Sequence, residues 1–218
     1  MLVIFDCDGV LVDSEIIACG IEAEELTRIG YPITLPEEIA RFAGKSQKAM
    51  KAVVEEALGR PLPEGFLAHL NARILEALGR DLKAMPGINV ALGMIANKCV
   101  ASSGAPEKIE NSLRTTGLSR HFGDGYIFSA TMVKNGKPAP DLFLYAAQRM
   151  GFAPQNCVVV EDSLYGTKAG VAAGMTVFGF TGGTHIIDPK HAEALKQAGA
   201  KLVFNDMARL PELLKTGV

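Results

Sequence analysis

The stretch MLVIFDCDGVLVDSE, residues 1–15, decides how the rest of the chain is interpreted. Residues 2–5 form a short run of large apolar side chains, which predicts a strand buried on both faces of a sheet. Two acids separated by one residue, Asp6 and Asp8, follow this run directly, and Gly9 allows the chain to turn sharply there. The stretch therefore predicts a buried strand that ends in an acidic loop.

Five more runs of valine, isoleucine and phenylalanine recur along the chain, at residues 99–101, 126–128, 157–160, 176–180 and 201–204. Segments of helical length lie between them, for example residues 140–150 and 164–173. Strands that alternate with helices pair in parallel and carry helices on both faces of the sheet. The sequence therefore predicts an α/β fold with a parallel sheet.

Residues 15–82 interrupt this alternation. They contain no convincing strand, and their amphipathic segments at residues 16–29, 35–42, 48–58 and 66–78 predict a bundle of helices inserted after the first strand. Pro86-Gly87 marks the return to alternating strands and helices. We expect a core domain formed by residues 1–14 and 83–218, and a helical domain at residues 15–82.

Composition limits the classes of partner. The formal net charge of −2 and the pI of about 6.1 leave no basic surface for a nucleic acid or an acidic membrane. No apolar run approaches the roughly 18 residues of a membrane span, and the first residues do not resemble a signal peptide. The four cysteines lie far apart, which favours buried reduced thiols. We expect a cytoplasmic protein, monomeric or weakly dimeric, with neither nucleic acid nor membrane as partner.

Polar residues cluster where the predicted strands end. In an open parallel sheet, ligands bind in the crevice beyond the carboxyl ends of the strands. Besides the acidic loop at residues 6–9, these ends carry Ser102-Ser103-Gly104, Lys137 and Glu161-Asp162. Four separated segments are therefore expected to converge on one pocket.

The expected pocket combines carboxylates, a lysine and hydroxyl groups, which suits a divalent cation and a phosphoryl group. The carboxylates repel one another, and a hard ion such as Mg²⁺ relieves that repulsion. The acids expected to share the ion are Asp6, Asp8, Asp162 and Glu161.

The two acids of the first loop can take different roles in phosphoester hydrolysis. Asp6 would attack phosphorus and form an acyl phosphate, which splits the reaction into two displacements. Asp8 would protonate the leaving alcohol and then deprotonate the attacking water. The phosphoryl oxygens would be stabilised by the cation, by Lys137 and Ser102, and by the loop amides at Gly9, Ser103 and Gly104.

In order and spacing, these segments resemble the four signature motifs of the haloacid dehalogenase superfamily. The matching residues are Asp6-x-Asp8-Gly9-Val10, Ser102, Lys137-Pro138-x-Pro140-Asp141 and Glu161-Asp162-Ser163-x-x-Gly166. Residues 6–15 are similar to the phosphatase branch that carries a helical cap after the first strand. The resemblance covers the whole chain and implies a Rossmann-like core with a mobile cap that closes over the substrate.

The resemblance also implies roles for individual residues. Members of the family hold Mg²⁺ with the first aspartate, the backbone carbonyl of the second and the acid of the fourth motif. These match Asp6, Asp8 and Asp162, with Glu161 as a further ligand or as a partner of the ligands. In the cap, Lys45 and Gln47 lie on the turn that corresponds to the substrate-specificity loop, and Arg73 is a further candidate for substrate contact. The implied partner is a small phosphorylated metabolite.

Aspartate at the position of Asp8 marks phosphoryl chemistry in this family and disfavours dehalogenation. Similar members include sugar phosphatases, such as those for 6-phosphogluconate, and β-phosphoglucomutase. The mutase carries histidine, arginine and lysine where this chain has Ala18, Gln47 and Ala105. We therefore expect a Mg²⁺-dependent phosphatase acting on a sugar phosphate or sugar-acid phosphate, with a phosphomutase as the alternative. The non-enzymatic alternatives are a phosphoaccepting signalling module, which is usually shorter, and a metabolite-binding protein.

Several of these residues also have simpler interpretations. Ser102 and Ser103 could form a helix N-cap, and residues 161–163 could cap the helix that follows them. The four histidines lack the spacing of metal ligands, so surface or core positions are the default. His185, which follows Gly182-Gly183 beyond a strand end, is the histidine expected near the crevice.

Overall fold

The computed structural model of the chain describes residues 1–42, 47–123 and 125–216. The chain divides into two compact units. One consists of Met1–Asp13 with Lys83–Val218, and we call it the core unit. The other is Ser14–Leu82, and we call it the helical unit.

The core unit is built on a six-stranded sheet in which every pair of neighbouring strands is parallel. The strands are β1 (Leu2–Phe5), β2 (Lys98–Ser102), β3 (Ile127–Ser129), β4 (Cys157–Glu161), β5 (Thr176–Phe180) and β6 (Leu202–Phe204). Their order across the sheet is β3-β2-β1-β4-β5-β6. The predicted α/β class is confirmed. Strand β3 begins one residue later than predicted, because Tyr126 is 42% exposed and joins the ladder through its carbonyl alone.

Ten α-helices occur in the part of the chain that the structure describes. The helical unit contains α1 (Glu15–Arg28), α2 (Leu35–Phe42), α3 (Gln47–Leu58) and α4 (Phe66–Asp81). The core unit contains α5 (Ile88–Met94), α6 (Pro106–Thr115), α7 (Asp141–Met150), α8 (Leu164–Ala172), α9 (His191–Gln197) and α10 (Leu210–Thr216). No helix among the described residues has both the length and the apolar character that crossing a membrane requires.

The first strand is buried on both faces, as its sequence predicts. Leu2 and Ile4 pack with Phe143 of α7 and Ala169 of α8, whereas the alternate residues of a strand point to the opposite face. The register pairs Phe5 with Val160 of β4, and the backbone amide of Asp6 donates to the Val160 carbonyl at 3.0 Å. This register places Asp6 beside the last residue of β4, which is Glu161.

The helical unit leaves the core unit and returns to it at one place. Val12 and Ala84 form an antiparallel bridge. The amide of Asp13 donates to the carbonyl of Lys83 at 3.0 Å, and that of Met85 donates to Leu11 at 2.9 Å. Because these flanking residues pair, an insertion of about 70 residues leaves the pairing of β1 undisturbed.

The helical unit has its own apolar core, which includes the fully buried Leu26, Val54 and Leu70. A buried acid in this unit is Glu25 of α1, whose side chain is 3% exposed. Its carboxylate accepts hydrogen bonds from Arg28 at 2.6 Å and from Arg73 of α4 at 2.6 Å. Burial opposes ionisation, but these hydrogen bonds lower the pKa of Glu25 below its ordinary value. The acid therefore ties α1 to α4 as a carboxylate.

We predict that Glu25→Gln lowers the free energy of unfolding at neutral pH by about 1–2 kcal/mol. Hydrogen bonds to a buried charge carry this effect, and solvent around the half-exposed arginines reduces it. A lowered pKa in the folded state gives stability above the pKa of the unfolded chain, which is lost as the pH falls through the folded-state pKa. Urea denaturation of wild type and variant should therefore differ at pH 7 and converge in acid.

The matched control for this prediction is Glu24→Gln, which changes the neighbouring acid. Glu24 also contacts Arg73, at 3.2 Å, but its side chain is 67% exposed. An exposed pair of this kind contributes little to stability. An equal loss of stability in the two variants would contradict the role assigned to Glu25.

Candidate active site

The loop after β1 is closed by its own backbone. The Cys7 carbonyl accepts hydrogen bonds from the amides of Leu11 at 2.9 Å and Val12 at 3.1 Å, and the Gly9 amide donates to the Val12 carbonyl at 2.8 Å. Gly9 has a φ of 77°, in the left-handed region that favours glycine. A side chain at Gly9 would also collide with the Asp162 carboxylate. This loop holds Asp6 and Asp8 at the carboxyl edge of the sheet.

Lys137 joins two of the predicted acids. Its Nζ donates to Asp6 Oδ1 at 2.6 Å and to Glu161 Oε1 at 2.6 Å. The lysine side chain is 5% exposed, and its ammonium group lies 4.9 Å from the centre of the Phe143 ring. Lys137 is therefore a buried, paired residue of the site, as predicted, and not a solvated loop lysine.

The buried charges of this site shift one another's pKa values. Burial raises the pKa of Asp6 well above its usual value; Lys137 opposes this shift, and Glu161 and Asp162 add to it. Burial alone would lower the pKa of Lys137, but the charges of Asp6 and Glu161 raise it above its ordinary value. Lys137 is therefore an ammonium group at physiological pH, and it stabilises Asp6 as a carboxylate.

Glu161 is held from both sides. Its Oε1 accepts from Lys137, and its Oε2 accepts from the backbone amide of Ser163 at 2.8 Å and from the Ser163 hydroxyl at 2.9 Å. The same hydroxyl accepts from the amide of Gly166 and caps α8, so Ser163 serves both the helix and the site. A Cβ at Gly166 would overlap the Glu161 carboxylate. The glycine of the fourth motif therefore makes room for this acid.

Asp162 lies against two histidines. His185 Nε2 lies 3.2 Å from Asp162 Oδ2, and His191 Nε2 donates to the Asp162 backbone carbonyl at 2.6 Å. Burial raises the pKa of Asp162, His185 opposes this shift through its hydrogen bond, and Glu161 adds to it. His185 was predicted to lie near the crevice, and it does.

One group of acids in the described part of the chain could share a metal ion. Asp6, Glu161 and Asp162 are all buried, and each offers one carboxylate oxygen within 4.8 Å of the others. With all three ionised they outnumber Lys137 by two charges. Buried carboxylate oxygens with excess negative charge are the donor set that suits a hard divalent cation such as Mg²⁺.

The second motif enters the site through the end of β2. Ser102 is the last residue of the strand, and its buried hydroxyl accepts from the amide of Gly104 at 3.2 Å. Ser129, at the end of β3, donates to the Gly104 carbonyl at 2.6 Å and so fixes the same loop. Ser103 is exposed. The N-cap of α6 is Ala105, so the alternative interpretation of these serines as that cap is wrong.

Lys108 is a site residue that the sequence interpretation missed. It lies in the first turn of α6, and its Nζ donates to Asp8 Oδ2 at 2.9 Å. The carboxylate of Asp8 thus pairs with a lysine rather than joining the group of three acids. One signal in the sequence could have found it, because a cation in the first turn opposes the helix dipole and so needs another reason to be there.

The candidates for substrate contact lie in the helical unit. Gln47 begins α3, and its amide exchanges hydrogen bonds with the Asn71 side chain of α4, at 2.6 and 3.3 Å. Arg73 is engaged by Glu24 and Glu25. Lys45 lies outside the described residues.

Comparison with known proteins agrees with this geometry. Residues 1–174 match the haloacid dehalogenase-like hydrolase family. Among curated proteins, the 6-phosphogluconate phosphatase of Escherichia coli is 31% identical, over 98% of this chain and 94% of the relative. Its enzyme class, phosphoric monoester hydrolase, is the one that the sequence predicts for this chain.

Solved structures extend the likeness to the complete fold. A haloacid dehalogenase-like protein of unknown function from Agrobacterium tumefaciens has a TM-score of 0.91 and 40% identity, over 99% of this chain and 97% of its own. A putative β-phosphoglucomutase from Thermotoga maritima has a TM-score of 0.80 and 27% identity, over the whole of both chains. The chain therefore belongs to the haloacid dehalogenase-like hydrolase family, as its four motifs predicted.

Proposed function

We propose that this enzyme hydrolyses the phosphomonoester of a small metabolite, with Mg²⁺ and through a phosphoaspartate on Asp6. The observation that carries the proposal is the buried Lys137, whose Nζ lies 2.6 Å from both Asp6 and Glu161. Asp8, two positions after Asp6 in the sequence, is not bound by this lysine and can act as an acid–base group. A buried lysine that serves only to neutralise one acid needs no second carboxylate. Here the arrangement supplies a nucleophile, an acid–base group and fixed positive charge at one edge of the sheet.

The proposed reaction has two displacements. A carboxylate oxygen of Asp6 attacks phosphorus, the bond from phosphorus to the leaving oxygen breaks, and Asp8 donates its proton to the departing alcohol. Water then attacks the phosphorus of phosphoAsp6, Asp8 accepts the proton of that water, and Asp6 leaves as a carboxylate. Inorganic phosphate and the enzyme in its starting form result.

The contact between Lys108 and Asp8 matches one half of this cycle. The Lys108 ammonium group lies 2.9 Å from Asp8 Oδ2, and the carboxylate form of Asp8 is the one that accepts a proton from water in the second displacement. The first displacement needs Asp8 protonated. Lys108, whose side chain is about one-third exposed, would therefore have to move away from Asp8 as substrate binds.

We propose that the cation is held by the carboxylates of Asp6 and Asp162 and by the Asp8 carbonyl. The bonds from Lys137 and Ser163 occupy both oxygens of Glu161, which favours this acid as a partner of Lys137 rather than as a ligand. When bound, Mg²⁺ would offset negative charge on the transferring phosphoryl group.

For the substrate we propose a sugar phosphate or sugar-acid phosphate, with 6-phosphogluconate first among those to test. The named Escherichia coli relative supports this class. We propose that the helical unit is the cap that selects the substrate. Gln47, held by Asn71, is its candidate contact among the described residues, and Lys45 stays a candidate from sequence.

We predict that Asp6→Asn lowers phosphate release by about 10⁴-fold or more, because an amide cannot act as the nucleophile. The measurement is phosphate release from a panel of sugar and sugar-acid phosphates in the presence of Mg²⁺. The matched control is Asp206→Asn, since Asp206 caps a short turn through the Ala208 amide, a role that asparagine can fill.

Each outcome of this panel has a separate meaning. Release from one class of compound that is lost in Asp6→Asn supports the proposal and identifies the substrate class. Substantial turnover by the variant contradicts the covalent mechanism. The panel includes β-glucose 1-phosphate with product analysis, because isomerised sugar phosphate without free phosphate would show a mutase instead.

We predict that chelation of divalent cations abolishes phosphate release and that added Mg²⁺ restores it. The three buried carboxylates lose their compensating charge without a cation, so phosphate, also an anion, is repelled. Activity is measured before chelation, after dialysis against chelator and after Mg²⁺ is returned. Full activity in the chelated enzyme would refute the metal assignment.

We predict that Gly166→Ala lowers turnover by about 100-fold, because the new methyl group displaces Glu161 and with it Lys137. The matched control is Gly93→Ala in α5, where a Cβ meets no atom within 4 Å. Alanine there should preserve turnover and slightly favour the helix. Wild-type turnover in Gly166→Ala would show that the position of Glu161 does not matter for catalysis.

A further inference from the structure

We infer that His185 is a positioning residue for the metal site: it holds the Asp162 carboxylate in the orientation that binds the cation. The inference rests on the proposed function, in which Asp162 is a metal ligand, and adds a residue that lies outside the four motifs. His185 lies in the loop after β5. The sequence predicted that this histidine lies near the crevice but gave it no role.

The contact between the two side chains is specific. His185 Nε2 lies 3.2 Å from Asp162 Oδ2, and the two side chains are 11% and 7% exposed. Within residues 1–42, 47–123 and 125–216, this is the ion-pair contact that the structure gives to the Asp162 carboxylate. Lys137, which fixes Asp6 and Glu161, bonds to neither oxygen of Asp162. The third acid of the group therefore depends on a different partner from the other two.

The histidine ring is seated between two glycines. A Cβ at Gly9 would lie 2.9 Å from His185 Cε1, and a Cβ at Gly183 would lie 2.7 Å from the same atom. The Gly183 Cβ would also lie 3.2 Å from the carbonyl of Gly9. The loop after β1 and the loop after β5 thus meet around this ring, where larger residues would push it away from Asp162.

The loop after β5 is also tied down beside the histidine. The Thr184 amide donates to Asp13 Oδ1 at 3.2 Å, and the Thr184 hydroxyl donates to Asp13 Oδ2 at 2.8 Å. Asp13 itself belongs to the paired segment that flanks the insertion, through its bond to Lys83. His185 therefore projects from an anchored loop, which limits the orientations its ring can take.

The backbone of Asp162 is fixed from a second direction. His191, the first residue of α9, donates to the Asp162 carbonyl at 2.6 Å. With the backbone held by His191, rotation of the side chain is the freedom that remains, and the His185 bond restrains it. Partners that orient a ligating carboxylate contribute about 10-fold to 100-fold to metal affinity in known sites.

The test measures Mg²⁺ binding directly, by calorimetric titration of the protein with MgCl₂ in the absence of substrate. We expect His185→Leu, which has no donor, to weaken Mg²⁺ binding by about 10-fold or more. We expect His185→Gln, whose amide nitrogen can occupy the place of Nε2, to recover most of the wild-type affinity. His121→Leu is the matched control, because His121 bonds to Asn89 rather than to an acid of the site, and should leave binding unchanged.

A double-mutant cycle with Asp162→Asn separates this role from a merely structural one. If His185 acts through Asp162, His185→Leu should change Mg²⁺ affinity far less in the Asp162→Asn background than in the wild type. Equal and additive losses would overturn the inference, as would wild-type Mg²⁺ affinity in His185→Leu, and both results would leave the phosphatase proposal standing. Failure of the wild-type protein to bind Mg²⁺ would overturn the inference and the proposed metal site together.

If His185→Leu does not fold, the test is the comparison of His185→Gln with His185→Asn. The glutamine amide can reach the place of Nε2, whereas the asparagine amide is too short. We expect the asparagine variant to bind Mg²⁺ more weakly than the glutamine variant. Equal affinity of the two for Mg²⁺ would overturn the inference.

Discussion

The ion pairs of Lys137 with Asp6 and Glu161 are the interaction on which this site depends. A buried ammonium group is costly unless it is paired, and two carboxylates at 2.6 Å supply that pairing. Its position requires the parallel register of β1 and β4, which sets Asp6 beside Glu161, and the space left by Gly166. The position of Lys137 thus depends on strand pairing, on helix packing and on charge together.

The acids around this lysine are held by different means, and the difference matters for chemistry. Asp6 and Glu161 share Lys137, Asp8 pairs with Lys108, and Asp162 rests against His185. Three different partners thus divide the four acids, which suits the proposed mechanism, in which the acids attack, exchange protons and bind a cation. The inserted helical unit adds to the chain without disturbing this arrangement, because the segments that flank it pair with each other.

Much of the fold could be predicted from the sequence because its local signals agree with one another. Buried strands show as unbroken apolar runs, and the insertion shows as the one interval with helical periodicity alone. Errors occurred at element ends: β3 is shifted by one residue, and α4 continues to Asp81 rather than residue 78. Such ends depend on which backbone groups find partners, and this is settled by neighbouring strands and helices.

The sequence by itself determined the family, the fold class and the four motif segments that meet at the sheet edge, because these follow from spacing and periodicity along the chain. Only the tertiary structure decided which side chain each acid pairs with. Lys108 is 100 positions from Asp8, and His185 is 23 positions from Asp162. No local pattern encodes such pairs, since they arise only when segments far apart in the chain pack together at the edge of the sheet.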